Sequence, residues 1–308
     1  MKPTERVFED AIEESLIDHG GYLKSIPSNF DPVFGLDTAE LFAFIGATQP
    51  KEWEGLLGRY GRDPDAAQSG FAKRLATELD SRGTVEVLRH GIVDLGVTIW
   101  LAFFKPAHGL TEALTTLYDQ NRVTVTRQFP YDPGSHKTID LALLVNGIPT
   151  ATAELKNHLT NQTIEHAVEQ YRQDRDPFNV TLSRRALVHF AVDPDSVAMT
   201  TRLAGEDTRF LPFNLGHNGG RGNPPNPDGH RTSYLWERVW TRDAWMAHPG
   251  PLHQRREAVT RLPGGPQGCR SGDLPPLPPV GRRAEPGIPC QSQRCRAELP
   301  DRALGRIG

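Results

Sequence analysis

Cysteine is nearly missing from this chain of 308 residues: there are three, Cys269, Cys290 and Cys295, all close to the C-terminus. An odd number at these separations builds neither a disulfide framework nor a paired Cys-x-x-Cys zinc site. Long apolar runs are missing as well. No stretch approaches the roughly 18 uninterrupted apolar residues that a membrane span requires. The start, "MKPTERVFEDAIEESL", is acidic and amphipathic, unlike a signal peptide. A cytoplasmic location is the expectation. A Gly-x-x-x-x-Gly-Lys-Ser/Thr loop is also lacking; "GHNGGRGNPP" is glycine-rich but has no lysine and no helix directly after it. An ATP phosphate cradle is therefore not expected. No nucleophilic serine or cysteine constellation competes, since Ser135-His136 reads as a pair of loop neighbours.

Beyond Met246 there is no Phe, Tyr, Trp or Lys, while 11 of the 26 prolines and 10 arginines fall there. Such a segment buries too little apolar surface to offset its chain entropy. Residues 247–308 are expected to be a disordered Pro/Arg/Gly-rich tail, and the abrupt change of usage suggests a shifted reading frame. With 5 acids the tail carries +5, which leaves residues 1–246 at −8 out of the whole-chain −3. The globular part is not a basic nucleic-acid binder overall, so any hold on DNA needs a local patch or partner subunits.

What is present is a mixed helix and strand pattern. Phe8, Ile12 and Leu16 recur at helical spacing before Gly20-Gly21. "PKEWEGLLGRYG", "AAQSGFAKRLATELDSRG" and "TEALTTLYDQNR" read as helices, and "VTVTRQFPY" as a strand. "TIEHAVEQYRQD" reads as a helix, "RALVHFAVD" as a buried strand and "SVAMTTRL" as another. The expected domain is 1–213. Residues 214–246 read as a linker rich in Gly, Asn and Pro followed by a helix with aromatics at 236, 240 and 245.

The informative stretch is "TIDLALLVNGIPTATAELKN", residues 138–157. Two apolar, β-branched runs flank Asn146-Gly147, the strongest short signal of a tight hairpin. Three charges gather at its open end: Asp140, Glu154 and Lys156. Two carboxylates and a backbone carbonyl, here that of Leu155, suit Mg²⁺, which prefers hard oxygen ligands. Lys156 lies two residues after Glu154 and so projects from the same face. There it can orient a water or stabilise charge on phosphorus. Register decides the matter. A regular two-residue hairpin pairs 140 with 153 and puts Asp140 and Glu154 on opposite faces. One extra residue near Ile148 or Pro149 brings them together. A purely structural hairpin has no need of it.

Around these residues the chain resembles a known family. "NRVTVTRQFPYDPGSHKTIDLALLVNG", "NGIPTATAELKN", "FEDAIEESLIDHGGY", "VHFAVDPDSVAMTTRLAGEDTRFLPFN" and "GNPPNPDGHRTSYLWERVW" are similar to the nuclease domain of type I restriction enzyme R subunits. That domain is a PD-(D/E)XK nuclease. The resemblance runs over residues 5–246. It implies an α/β restriction-endonuclease-like core, with a mixed central sheet flanked by helices. It also implies a Mg²⁺-dependent DNA endonuclease in which Asp140 and Glu154 hold the metal and Lys156 is the catalytic lysine. The implied partners are DNA and the methyltransferase and specificity subunits of a restriction complex. Glu9 matches an acidic helix position that borders such sites, or is an exposed helix carboxylate. The family's Gln-x-x-x-Tyr motif is met by Gln170, but Asp174 stands at the tyrosine position and Tyr171 adjoins the glutamine. Arg127, Lys137, Arg172 and Arg175 are candidates for phosphate contacts or ordinary surface charges. The family's ATP-driven motor has no counterpart motif, so the chain reads as a truncated R subunit. The rival expectation is a catalytically silent remnant that at most binds the methyltransferase and specificity subunits.

Overall fold

The computed structural model describes residues 3–106, 112–157 and 162–247. The first helix, α1 (Pro3–Asp18), buries Phe8, Ile12 and Leu16, the stripe that the helical spacing predicts. Strand β1 (Leu23–Lys24) follows, then a small pair, β2 (Phe30–Asp31) and β3 (Leu36–Asp37). Asp37 begins α2 (Thr38–Thr48): its side chain accepts from the Glu40 amide at 3.1 Å, satisfying one of the free donors of the first turn. Helices α3 (Pro50–Arg59) and α4 (Pro64–Arg82) both start on proline, whose missing N–H costs nothing there. Next comes α5 (Thr84–His90). The apolar run "GIVDLGVTIWLAFF" folds into a hairpin, β4 (Ile92–Asp94) and β5 (Val97–Ile99), turning at Leu95-Gly96 with both φ positive.

Helix α6 (Glu112–Asp119) leads to β6 (Val123–Phe129), β7 (Ile139–Val145) and β8 (Ile148–Leu155). Helix α7 (Ile164–Glu169) runs on into a π-helical turn, Gln170–Asp174; a second such turn, Thr181–Arg185, precedes β9 (Val188–Val192). Strands β10 (Val197–Thr200) and β11 (Leu211–Pro212) complete the sheet. Its order is β1-β6-β7-β8-β9-β10-β11. It is mixed: β6 to β8 and β9 to β11 are antiparallel, while β1 with β6 and β8 with β9 are parallel. The parallel step from β8 to β9 requires a crossover, which the α7 segment provides.

The fold is thus a mixed α/β architecture with a seven-stranded sheet flanked by helices. One face, carrying Val125, Leu141, Leu143, Ala153 and Leu155, packs against α1 and a large apolar cluster. The other, carrying Ala142 and Leu144, meets a smaller cluster with Tyr131, Tyr171 and Leu182. Residues 214–246 do not stand apart from this body. After a loop pinned by Asn214 and Asn223, the turn Leu235–Val239 and helix α8 (Arg242–Met246) bury Trp236, Trp240 and Trp245 in the larger cluster. The expectation of a disordered tail lies, apart from Ala247, outside the described residues. Among the described residues no helix is long and apolar enough to cross a membrane.

Candidate active site

The hairpin that carries the three charges turns on Asn146 (φ 50°) and Gly147 (φ 81°), the pair of left-handed residues a two-residue β-turn of this hand requires. Glycine is obligatory at 147, because a Cβ there would lie 2.2 Å from the Asp37 carbonyl oxygen. Buried Asn146 is held by three further bonds, accepting from the Arg122 amide and donating to the Leu101 carbonyl and Asn121 Oδ1.

From this turn the ladder begins regularly, Val145 opposite Ile148 and Leu144 opposite Pro149. It then skips: Leu143 faces Ala151, Ala142 faces Thr152 and Leu141 faces Ala153. The extra residue is Thr150, one place beyond the expected Ile148 or Pro149. Pro149 keeps a place in the pairing because the position next to the turn-closing pair sends its N–H away from β7, so the missing donor is not needed there. Thr150 occupies the bulge fully. Its Oγ1 donates to the Leu143 carbonyl at 3.0 Å and accepts from Trp245 Nε1 at 2.9 Å, and its carbonyl accepts from the Leu187 amide at 2.9 Å. Continued by one step, the shifted register sets Asp140 opposite Glu154 on the same face.

At that end of the sheet Asp140 Oδ2 accepts from the Leu155 amide at 2.8 Å, while the Leu155 side chain points into the large cluster. Glu154 is 0% exposed. Its Oε1 takes the guanidinium of Arg175, with Nη2 at 2.6 Å and Nε at 2.8 Å. Its Oε2 is buried and has no hydrogen-bond partner. Arg175, itself buried, also donates to the Thr138 carbonyl at 2.8 Å and lies over the Tyr131 ring, 5.3 Å from its centroid. Burial, and then the charge of Asp140, push the Glu154 carboxyl well above its usual range, while the charges of Arg175 and Lys156 oppose this. Two carboxylates meet at one strand end, and one of them presents a buried oxygen with nothing to bind. The donor set fits a divalent cation with hard-oxygen preference. Among the described residues no group of three or more His, Cys, Asp or Glu is placed to hold a metal, so a cation here would rest on this pair and the neighbouring backbone.

The remaining sequence candidates are placed as follows. Glu9 is neither exposed nor free: it is 2% exposed and pairs with Arg127 at 2.8 Å. Burial raises its carboxyl, the Arg127 hydrogen bond opposes that, and the charge of Asp140 adds to the rise, which sets α1 beside the centre. Gln170 is half-buried where α7 passes into the π-turn, and among the described residues no hydrogen bond joins its side chain to Asp140, Glu154 or Lys156. Its neighbour Tyr171 is the residue that reaches the sheet, its hydroxyl 2.8 Å from Thr152 Oγ1, two residues before Glu154. All four candidate phosphate cations hold internal partners. Arg127 binds Glu9, Asp10 and Glu13, Arg172 binds the Thr208 carbonyl, and Lys137 binds the Asp174 carbonyl. Arg175, the fourth, is the buried partner of Glu154. The sequence does hold one signal for it, since Arg175 follows buried Tyr171 by one helical turn. Gln128, at φ 48° in the left-handed region, lies between the Arg127–Leu141 and Phe129–Ile139 pairs, opposite Asp140. It donates to Glu9 and accepts from Thr138 Oγ1, and nothing in the residue pattern singled it out.

A similarity to a known family covers β6 to β10 and the crossover among them. Residues 104–210 match the type I restriction enzyme R protein N terminus. The matched stretch contains Asp140, Glu154, Lys156, Arg175 and the whole of β6 to β10, and the similarity implies a restriction-system, nuclease-related role for the domain as a whole. No curated protein and no solved structure matches the chain.

Proposed function

We propose that the centre at Asp140, Glu154 and Lys156 hydrolyses DNA phosphodiesters with Mg²⁺, as the cleavage domain of a type I restriction R protein. In that setting the domain works with methyltransferase and specificity subunits, which read the sequence. The observation that carries the reading is the bulge at Thr150, which aligns Asp140 with Glu154 and leaves Glu154 Oε2 buried without a partner. Asp140, Glu154 and the Leu155 carbonyl would hold the cation, which supplies polarisation of the phosphoryl oxygen and a more acidic bound water. Lys156 offers a positive charge on the same face, suited to orienting the attacking water or stabilising charge that develops on phosphorus. Arg175 keeps Glu154 in place through two hydrogen bonds and its anchor on the Thr138 carbonyl.

One feature favours a catalytically silent remnant instead. The body carries −8, and Arg127, Lys137 and Arg172 are spent on internal partners rather than left for phosphates. Plasmid nicking with Mg²⁺ and without ATP separates the two readings. Weak, sequence-indifferent cutting that falls with salt is expected. Lys156→Ala should lower it about 10²–10³-fold while Mn²⁺ binding, read by calorimetry, persists. Asp140→Ala should remove both. Cutting that survives both substitutions would reject the site.

A further inference from the structure

The segment after Arg175 builds a second feature that the hydrolytic centre does not use. Phe178 is 86% exposed, more than any other large apolar side chain among the described residues. Single exposed apolar residues are common and need no explanation. Phe178 differs in how firmly its backbone is held. Its amide donates to Asp176 Oδ1 at 2.9 Å, closing a tight turn, and its carbonyl accepts from Ser183 Oγ at 3.4 Å. Asn179 ties the same turn down: its Nδ2 donates to the Tyr131 carbonyl, and its Oδ1 accepts from the amides of Thr181 and Leu182. Thr181 Oγ1 donates to that Tyr131 carbonyl as well. An aromatic ring is thus presented to solvent on a turn whose ordering entropy is already spent.

Phe178 stands on the wall of a cavity of about 630 Å³. Its floor includes Leu182 and Leu203, which belong to the smaller apolar cluster on the face of the sheet that carries Glu154. Arg184 and Arg202 line it, with the hydroxyls of Ser183 and Thr201. Both arginines are exposed, and neither is in an ion pair among the described residues. Their backbones are fixed: the Arg184 carbonyl accepts from Thr84 Oγ1, and the Arg202 amide and carbonyl both bond Thr200 Oγ1. The one acid in the lining, Asp80, is paired with Arg185 at 2.6 Å. In a body of net −8 the two arginines form a small cationic patch beside an exposed ring on a held backbone, with Asp176 the acid of the same turn. Arg184 precedes β9 and Arg202 follows β10, so the two arginines lie toward the end of those strands away from Glu154, which pairs with Ala191.

We infer that this groove binds a single-stranded stretch of DNA, with phosphates on Arg184 and Arg202 and one base stacked on Phe178. Cations that track a backbone and aromatics that take a base face are the two elements of sequence-tolerant strand binding. The site would hold one strand apart from the carboxylates, and in taking DNA as the ligand the inference rests on the reading of the chain as a nuclease.

The test is fluorescence anisotropy of a labelled oligothymidylate of about 12 nucleotides with the full chain, in EDTA so that binding is read without a divalent ion. Phe178→Ala should weaken binding about tenfold and leave its salt dependence unchanged, and Phe178→Trp should restore it. Arg184→Gln with Arg202→Gln should weaken binding and flatten the plot of log affinity against log salt by roughly 1.4. No binding by the unaltered chain, or equal binding by Phe178→Ala and the unaltered chain, overturns the inference. Binding that follows this pattern in a protein that fails to nick DNA with Mg²⁺ counts against the hydrolytic reading alone.

Discussion

The two faces of the central sheet are built on different terms. The face toward α1 is dry: Phe8, Ile12, Leu16, Phe190 and the tryptophans of the last turns close over it, with Trp240 edge-on to Phe190 at 5.3 Å. The opposite face buries polar groups among fewer apolar ones. Thr152 Oγ1 meets both Tyr171 OH and His189 Nδ1, and Arg175 meets Glu154. Four side-chain atoms turned to that face, on Thr124, Thr126, Glu154 and His189, are buried without a hydrogen-bond partner, although the larger cluster also holds one such atom in Trp240 Nε1. Each such group subtracts from stability. The comparison teaches a division of labour: the first face supplies the stability that the second, with its carboxylate pair, gives up.

Substitutions on the two faces should respond differently. The largest effect is expected on the first face. Trp240→Ala removes a fully buried ring and should cost about 4 kcal/mol, read as a lower urea midpoint, and Mg²⁺ should not recover it. On the second face, Arg175→Ala should cost about 3 kcal/mol without a divalent ion, because the Glu154 charge is left buried and unpaired. Here Mg²⁺ should recover part of the loss, since a cation that binds only the folded chain stabilises it by mass action. Equal responses of the two variants to Mg²⁺ would erase the proposed difference between the faces.

Acid should also act on the second face. Burial lowers the His189 pKa from 6.5 to about 4, so the folded chain holds the ring neutral where the unfolded chain takes a proton. The unfolded state then binds more protons, and stability is lost as pH falls from 6.5 toward 4. The full loss is roughly 3 kcal/mol. His189→Gln should flatten that acid limb in urea titrations at stepped pH; an unchanged slope would remove His189 from the account. The smallest effect is expected at the bulge. Thr150→Val takes away the hydroxyl shared by the Leu143 carbonyl and Trp245 Nε1, and should cost about 2 kcal/mol in thermal or urea unfolding. A neutral result would mean that backbone pairing alone holds the register.

Much of the framework was legible because it depends on local pattern. The Phe8-Ile12-Leu16 stripe, the Asn146-Gly147 turn and the apolar, β-branched runs of β6 to β9 each follow from spacing and from backbone preferences that need no distant partner. The need for a bulge could be argued as well, since a two-residue turn fixes parity. Its place could not. Thr150 is selected by groups from β9's approach and from α8, 95 residues away at Trp245. Residues 214–246 looked like a linker because their loop is polar, yet the aromatics that follow are drawn into the core. Arg175 looked like a surface charge because guanidinium groups are seldom buried unpaired, and its partner lies 21 residues back on another element.

The hairpin, its three charges and the mixed helix and strand order follow from local sequence, because turn chemistry and periodicity act over a few residues. Tertiary structure alone decided which face each charge occupies, that Glu154 is buried against Arg175, and that Oε2 is left without a partner. The physical reason is that burial and pairing belong to elements far apart in the chain. The energy of a carboxylate is set by the dielectric and charges around it, and no spacing rule contains those.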